Sequence, residues 1–335
     1  MSAPEILFVV DAGPEIGGGH VMRSLTLAHA LVERGARCAF VAPPPVAAIL
    51  DAFASPEIGR VERAQDARFD AVAFDHFRIG ATEQAALARG RPALVIDDLA
   101  DRPLHADLLL DVGPARRPED YAGLLPEGAT LLLGPSYALV RARFAQARPA
   151  ALARRGGDEP AGRVLVSLGL TDVGGITGRV VNRLLPRLGE AALDVVVGSA
   201  ARSRGALERL AERDARVIVH VDAADMAGLM THADLAVGAG GSTAWERCTL
   251  GLPTLLLVLA DNQEPAARAL ADLGAAEVVD ARAPDFEAAF DRAFTGLMRA
   301  PERRAKLSRA SAALCDGLGA GRVAEAFLRL IAERS

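Results

Sequence analysis

The stretch Asp11-Ala-Gly-Pro-Glu-Ile-Gly17-Gly18-Gly19-His20 joins an apolar run, Ile6 to Val10, to a segment in which Val21, Leu25, Ala28 and Val32 share one helical face. Glycines at 17, 18 and 19 permit positive φ and close backbone approach. A glycine turn leading from a strand into a helix presents backbone N–H groups at the positive end of the helix dipole, which suits a phosphate. The histidine that closes this turn can move protons near neutral pH. The dipole disfavours its cationic form, so His20 is expected to serve as a neutral base. A phosphate seat beside a base fits chemistry on a phosphorylated substrate. The plain alternative is a tight turn with a capping histidine.

Other candidates also follow apolar runs. Asp75-His76 ends one of them. Alternate residues of a strand face opposite ways, so the two are not automatically a pair. A turn aspartate beside a half-buried histidine is the equal reading. Asp97, Asp98 and Asp101 precede Arg102. They could hold a metal or polarise a water, but capping and pairing with the arginine are favoured. No His, Cys or carboxylate set has convincing ligand spacing, so neither a metal nor a cofactor is expected. In the second half, Gly240-Gly241-Ser242-Thr243 again leads from an apolar run into a helical pattern. Ser242 and Thr243 are expected to cap that helix. Glu246 then either completes a capping box or holds the hydroxyls of a ribose. Asn262 and Gln263 leave the next run and suit recognition of hydroxyls or carbonyls, with an N-cap as the alternative for Asn262. Thr171, in Gly169-Leu-Thr-Asp172, either lines a diphosphate or belongs to an ordinary turn.

The elements that must position these residues alternate from end to end. Strands are expected at residues 6–10, 38–41, 71–74, 93–96, 108–110 and 131–133, then at 164–167, 193–197, 217–221, 235–237 and 254–258. Helical patterns or loops separate them, which predicts α/β architecture with parallel sheets covered on both faces. At 335 residues two domains are expected. Residues 1–148 form an N-terminal Rossmann-like domain, 149–162 a linker rich in Ala, Arg, Gly and Pro, and 163–335 a C-terminal Rossmann-like domain. Residues 301–335 read as two helices broken near Gly317–Gly321. Ligands of such sheets bind at the carboxyl ends of the strands, so a cleft between two doubly wound domains is the expected site.

Composition narrows the partners. Apolar residues make up 51% of the chain, net charge is −5 and aromatics are 4%, a balance without a nucleic-acid footprint. Cys38, Cys248 and Cys315 are far apart and read as reduced thiols. No signal-type segment is apparent, and the longest later apolar run, 253–260, is too short to span a bilayer. A cytoplasmic protein without stable membrane insertion is expected.

Taken in order, Asp11…Ile16-Gly-x-Gly-His20-x-Met-Arg23, Asp75-His76, Asp97-Asp98, Leu133-Gly-Pro-Ser-Tyr137-Ala-Leu-Val-Arg141, Gly240-Gly-Ser-Thr-x-x-Glu246 and Asp261-Asn-Gln263 run over nearly the whole chain. In this combination the sequence resembles the UDP-2,4-diacetamido-2,4,6-trideoxy-β-L-altropyranose hydrolases of pseudaminic acid biosynthesis, a pathway that serves surface and flagellin glycosylation. The resemblance implies a GT-B architecture, with two Rossmann-like domains facing across a cleft. It implies release of UDP and free sugar by water attack at the anomeric carbon, inverting and metal-independent, with His20 as the base. Gly240, Gly241, Ser242, Thr243 and Glu246 would hold UDP, and Asn262 and Gln263 would face the sugar or its phosphates. The implied partners are the UDP-sugar and neighbouring pathway enzymes, with no nucleic acid. The chain departs from the family pattern at Val9, commonly Arg, at Phe77, commonly Tyr, and at Gly169–Asp172. Two competing readings are a GT-B glycosyltransferase using a related nucleotide sugar and a non-catalytic nucleotide-sugar binding protein.

Overall fold

The structure, a computed structural model, describes residues 3–13, 17–155 and 160–334. Parts of the expected glycine turn, residues 14–16, and of the expected linker, residues 156–159, lie outside the described residues.

The described chain divides into two compact units, residues 1–141 with 317–335, and residues 142–316. In the first unit the order is β1 (Glu5–Val10), α1 (Gly19–Val32), β2 (Arg37–Val41), α2 (Pro44–Phe53), β3 (Gly59–Val61), β4 (Ala71–Asp75) and α3 (Ala81–Ala88). Three strands follow: β5 (Ala93–Ile96), β6 (Leu108–Asp111) and β7 (Thr130–Leu133). All pair in parallel, in the order β3-β2-β1-β4-β5-β6-β7. Alternation along β1 builds both cores. Ile6, Phe8 and Val10 join Leu25, Phe40 and Leu50 on one face, where Phe8 stacks on Phe40 at 4.7 Å. Leu7 faces the other way, into Val72, Phe74, Val95, Leu109 and Tyr121.

The second unit opens with α4 (Ala142–Arg154), then β8 (Arg163–Ser167), α5 (Ile176–Leu184), β9 (Ala192–Val197), α6 (Arg204–Ala211), β10 (Val217–Val221) and α7 (Met226–His232). It continues through β11 (Leu235–Ala239), α8 (Thr243–Thr249), β12 (Thr254–Val258), α9 (Glu264–Asp272), β13 (Glu277–Asp280), α10 (Phe286–Arg299) and α11 (Pro301–Leu314). Its parallel sheet has the order β10-β9-β8-β11-β12-β13. Val164, Val166, Val195, Val237 and Leu255 pack against Phe286, Phe290 and Phe294 of α10.

Three features differ from the sequence-based expectation. The edge strands β3 and β13 were not anticipated; β3 is three residues long and β13 begins and ends on an acid, so neither carries an apolar run. The region read as linker begins inside the helix α4, which includes its residues 149–154 and belongs to the second unit. The last helix, α12 (Gly319–Arg334), belongs to the first unit rather than the second. Its Val323, Ala324, Phe327 and Ile331 complete the core beneath α1. A Cβ on Gly319 would come within 2.3 Å of the Ala138 carbonyl oxygen, so only glycine permits this approach.

Candidate functional site

In each sheet the strand order reverses direction at one place, between β1 and β4 in the first unit and between β8 and β11 in the second. The loops leaving two such strands diverge to opposite faces and leave a crevice at their carboxyl ends. The glycine turn after β1 and Asp75 at the end of β4 share the first crevice. The 169–172 turn after β8 and the 240–243 turn after β11 share the second.

In the first crevice, Gly17 adopts φ +76°, and its N–H donates to the Gly13 carbonyl at 2.7 Å. Of the three glycines only this one uses the left-handed region; Gly18 is the N-cap at φ −105° and Gly19 begins α1. The turn therefore places His20 one residue inside the helix, nearly buried at 6% exposure. His20 Nδ1 meets Asp75 Oδ1 in a short contact. The carboxylate accepts the Nδ1 proton, which assigns the lone pair of the ring to Nε2. Phe77 packs edge-on against the imidazole, 4.4 Å between ring centres at 87°. Carboxylate and aromatic edge thus fix both tautomer and ring plane.

Asp75 is held by more than the histidine. Arg23, one helical turn after His20, binds it through two nitrogens, Nε to Oδ2 and Nη2 to Oδ1, each at 2.6 Å. Its Nη1 donates to Asp98 at 2.7 Å, and Ser24 Oγ donates to Asp75 Oδ2 at 3.2 Å. Burial by itself would push the Asp75 carboxyl up, but Arg23 and then His20 outweigh it and hold the group well below the usual carboxylate range. Asp75 is therefore a permanent carboxylate at neutral pH. Removing Arg23 would strand a buried charge, a loss of about 3–5 kcal/mol.

Two further clusters line the carboxyl ends of this sheet. Asp11 accepts from Arg78 Nε at 3.0 Å and Nη2 at 2.7 Å, and lies 3.5 Å from His76 Nδ1. That same nitrogen accepts from the Arg78 backbone N–H at 3.1 Å, and burial lowers the His76 pKa. His76 is thus a neutral ring whose Nε2–H is the donor. Asp75 and His76 engage different partners, as strand alternation requires. The acidic run also divides. Asp97 accepts from the Leu99 and Ala100 N–H groups at 3.1 and 2.7 Å and from the Tyr121 hydroxyl at 2.9 Å, and lies 3.2 Å from Arg102. Asp101 pairs with Arg102 at 2.8 Å. These two are structural, as expected, whereas Asp98 joins the Arg23 cluster. Among the described residues no group of three or more His, Cys, Asp or Glu side chains could hold a metal ion.

The second unit places Gly240, Gly241 and Ser242 between β11 and the seven-residue α8, which begins at Thr243. Ser242 occupies the N-cap position but makes no side-chain capping bond, so the expected cap is absent. Thr243 Oγ1 instead accepts from Arg247 Nη1 at 3.1 Å. Glu246 is buried at 8% exposure. Gln263 packs over the turn; a Cβ on Gly240 would lie 3.2 Å from the Gln263 Cβ, and Gln263 Oε1 accepts from the Leu259 N–H at 3.1 Å. Asn262 is exposed within a short 3-10 turn whose N-cap is Ala260, so it is not itself a cap. Thr171 is exposed. Its neighbour Asp172 ties the loop down, accepting from the Thr177 and Ser203 N–H groups, both at 2.8 Å.

The structure brings Gly17, Gly18, Gly19, His20 and Asp75 to one crevice, and Gly240–Thr243 with Gln263 to another. Sequence reasoning did not assign functional roles to Arg23, Asp98 or Arg247. Arg23 was detectable, because a cation three residues after a helical histidine shares its face. Arg247 carries no such signal, since burial of an arginine is the exception.

No protein-family model matches the chain. Among curated proteins it is similar to the UDP-2,4-diacetamido-2,4,6-trideoxy-β-L-altropyranose hydrolase of Campylobacter jejuni, 24% identical in an alignment of 280 residues that covers 81% of this chain and 97% of that one. The spore coat polysaccharide biosynthesis protein SpsG of Bacillus subtilis is 30% identical over 145 residues, 43% of this chain and 42% of that protein. Among solved structures, MurG of Acinetobacter baumannii has a TM-score of 0.65 at 19% identity, covering 97% of this chain and 99% of that chain. The two Rossmann-like units are those of a GT-B fold, as the sequence led us to expect. No helix among the described residues is long and apolar enough to cross a membrane.

Proposed function

We propose that the chain hydrolyses a UDP-activated diacetamido-trideoxy sugar, releasing UDP and the free sugar with inversion and without a metal, as a step of pseudaminic acid biosynthesis. The observation that carries this reading is His20, whose Nδ1 is engaged by Asp75 so that Nε2 holds the lone pair. Its support from comparison is the similarity to a UDP-sugar hydrolase over 81% of the chain.

The chemistry balances with these groups. Water gives one proton to His20 Nε2 while its oxygen forms a bond to the anomeric carbon. The bond from that carbon to the β-phosphate oxygen breaks, and its electron pair leaves with UDP. The Asp75 carboxylate stabilises the imidazolium that forms, the role an aspartate plays behind a catalytic histidine. Backbone N–H groups of the Gly240–Thr243 turn meet the diphosphate charge. On this reading Gly240–Thr243 and Glu246 hold the nucleotide, Asn262 and Gln263 face the sugar or its phosphates, and Thr171 and His76 line the substrate.

Incubation with the UDP-sugar in ¹⁸O-labelled water, with no acceptor present, tests this. The expected result is release of UDP together with sugar carrying the label at the anomeric oxygen, first seen as the inverted anomer. UDP release only when a sugar acceptor is added would establish a transferase. Binding without release under either condition would establish a non-catalytic binding protein.

A further inference from the structure

We infer that Arg247 is a positioning residue for diphosphate binding, a buried cation that clamps the Gly240–Thr243 turn from behind. The inference rests on the proposal above that this turn holds the nucleotide, and adds a residue that proposal does not use.

Arg247 is 2% exposed and is the largest fully buried side chain among the described residues. Its guanidinium spans the turn. Nη2 donates to the Ala239 carbonyl at 2.7 Å, on the last residue of β11, and Nη1 donates to Thr243 Oγ1 at 3.1 Å, on the first residue of α8. The turn lies between these two anchors. Nε meets no hydrogen-bond partner among the described residues. The backbone makes room for the group, since a Cβ on Gly238 would fall 2.5 Å from the guanidinium carbon. Gly238 thus has a use that no turn requires, for it lies within the strand.

Burial lowers the Arg247 pKa to about 10, and Cys248 and Glu246 oppose that shift without reversing it. The group remains a cation at neutral pH. A buried cation whose hydrogen-bonding partners are neutral oxygens is costly. In a medium of low dielectric its field extends through the turn. An anion docked on the turn adds to the partial countercharge of Glu246, so the cost in the empty protein becomes affinity in the bound one. Lysine cannot replace it, because one ammonium does not span two acceptors with the planar fork of arginine.

The test is calorimetry on the full chain with UDP and with uridine, which lacks the phosphates, for wild type, Arg247→Lys, Arg247→Met and Thr243→Val. Thermal melting checks that each variant is folded. Arg247→Met is expected to weaken UDP by about tenfold or more and uridine by less than about twofold, with Arg247→Lys and Thr243→Val intermediate. If Arg247→Met does not fold, the other two variants decide, at about fivefold weaker UDP each. Wild type that binds UDP while folded variants keep its UDP-to-uridine affinity ratio overturns the role of Arg247 alone. A parallel fall for both ligands has the same meaning, since it marks a purely structural residue. Wild type that binds no UDP overturns the nucleotide reading and this inference with it.

Discussion

His20 and Asp75 are 55 residues apart in the chain, and their side chains meet through imidazole Nδ1 and carboxylate Oδ1. The contact joins the start of α1, which follows β1, to the end of β4, and β1 and β4 flank the strand-order reversal. It decides which ring nitrogen is left to accept a proton.

Replacement of His20 by Asn should therefore lower kcat by about a hundredfold or more while leaving UDP affinity within about twofold, the usual scale for loss of a general base. Steady-state kinetics and calorimetry on the folded variant measure both quantities. Normal turnover would transfer the role elsewhere, with His76 the next candidate.

Acid should remove the support that Asp75 gives the fold. Its folded pKa lies below the ordinary 3.8, so the unfolded chain binds the proton more readily. The stabilisation is complete above that ordinary value and is lost as pH falls below it. Wild type should lose Tm progressively below about pH 4, whereas Asp75→Asn should start from a lower Tm and lose less over the same range. Melts between pH 7 and 3 test this; equal acid losses for the two proteins would show that Asp75 is not the linked group.

Glu246 offers a carboxylate next to the second turn. Glu246→Ala should weaken UDP itself by about tenfold, as loss of hydrogen bonds to a charged group does. Because Glu246 is buried, Tm must be followed alongside. Unchanged UDP affinity in a folded variant would remove the ribose role.

Turnover should survive EDTA. Asp97, Asp98 and Asp101 already have protein partners, namely the Leu99 and Ala100 amides with Tyr121, then Arg23, then Arg102. Spending them on a divalent cation would break those contacts. Activity abolished by EDTA and restored by Mg²⁺ would place the acidic run in the reaction.

What the sequence disclosed follows from burial. Ile6 to Val10 and Thr254 to Val258 read as strands because both their faces are covered, leaving an unbroken apolar run. Gly59–Val61 and Glu277–Asp280 lie at sheet edges, where one side meets no neighbour and polar residues persist. The arginines in and just after α4 misled for a different reason. Arg148 donates to the carbonyls of Thr249 at 2.5 Å, Ala312 at 2.8 Å and Cys315 at 3.0 Å, and Arg155 to those of Met230 at 2.7 Å and Ala233. They satisfy helix ends far away in the chain, and an arginine bound to a distant carbonyl looks in sequence like one bound to water. His20 was legible because a glycine turn announces it; its pairing with Asp75 was not, because the register of β1 against β4 brings them together.

The return of α12 to the first unit bears on how the protein is made. The chain leaves that unit after Arg141 and rejoins it at Gly317. During synthesis the whole of the second unit emerges before Val323 and Phe327 can cover the back of α1. Domains ordinarily fold in order as they leave the ribosome. Here the unit begun first is completed last, so the helix carrying His20 gains its full support only after the whole second unit has emerged.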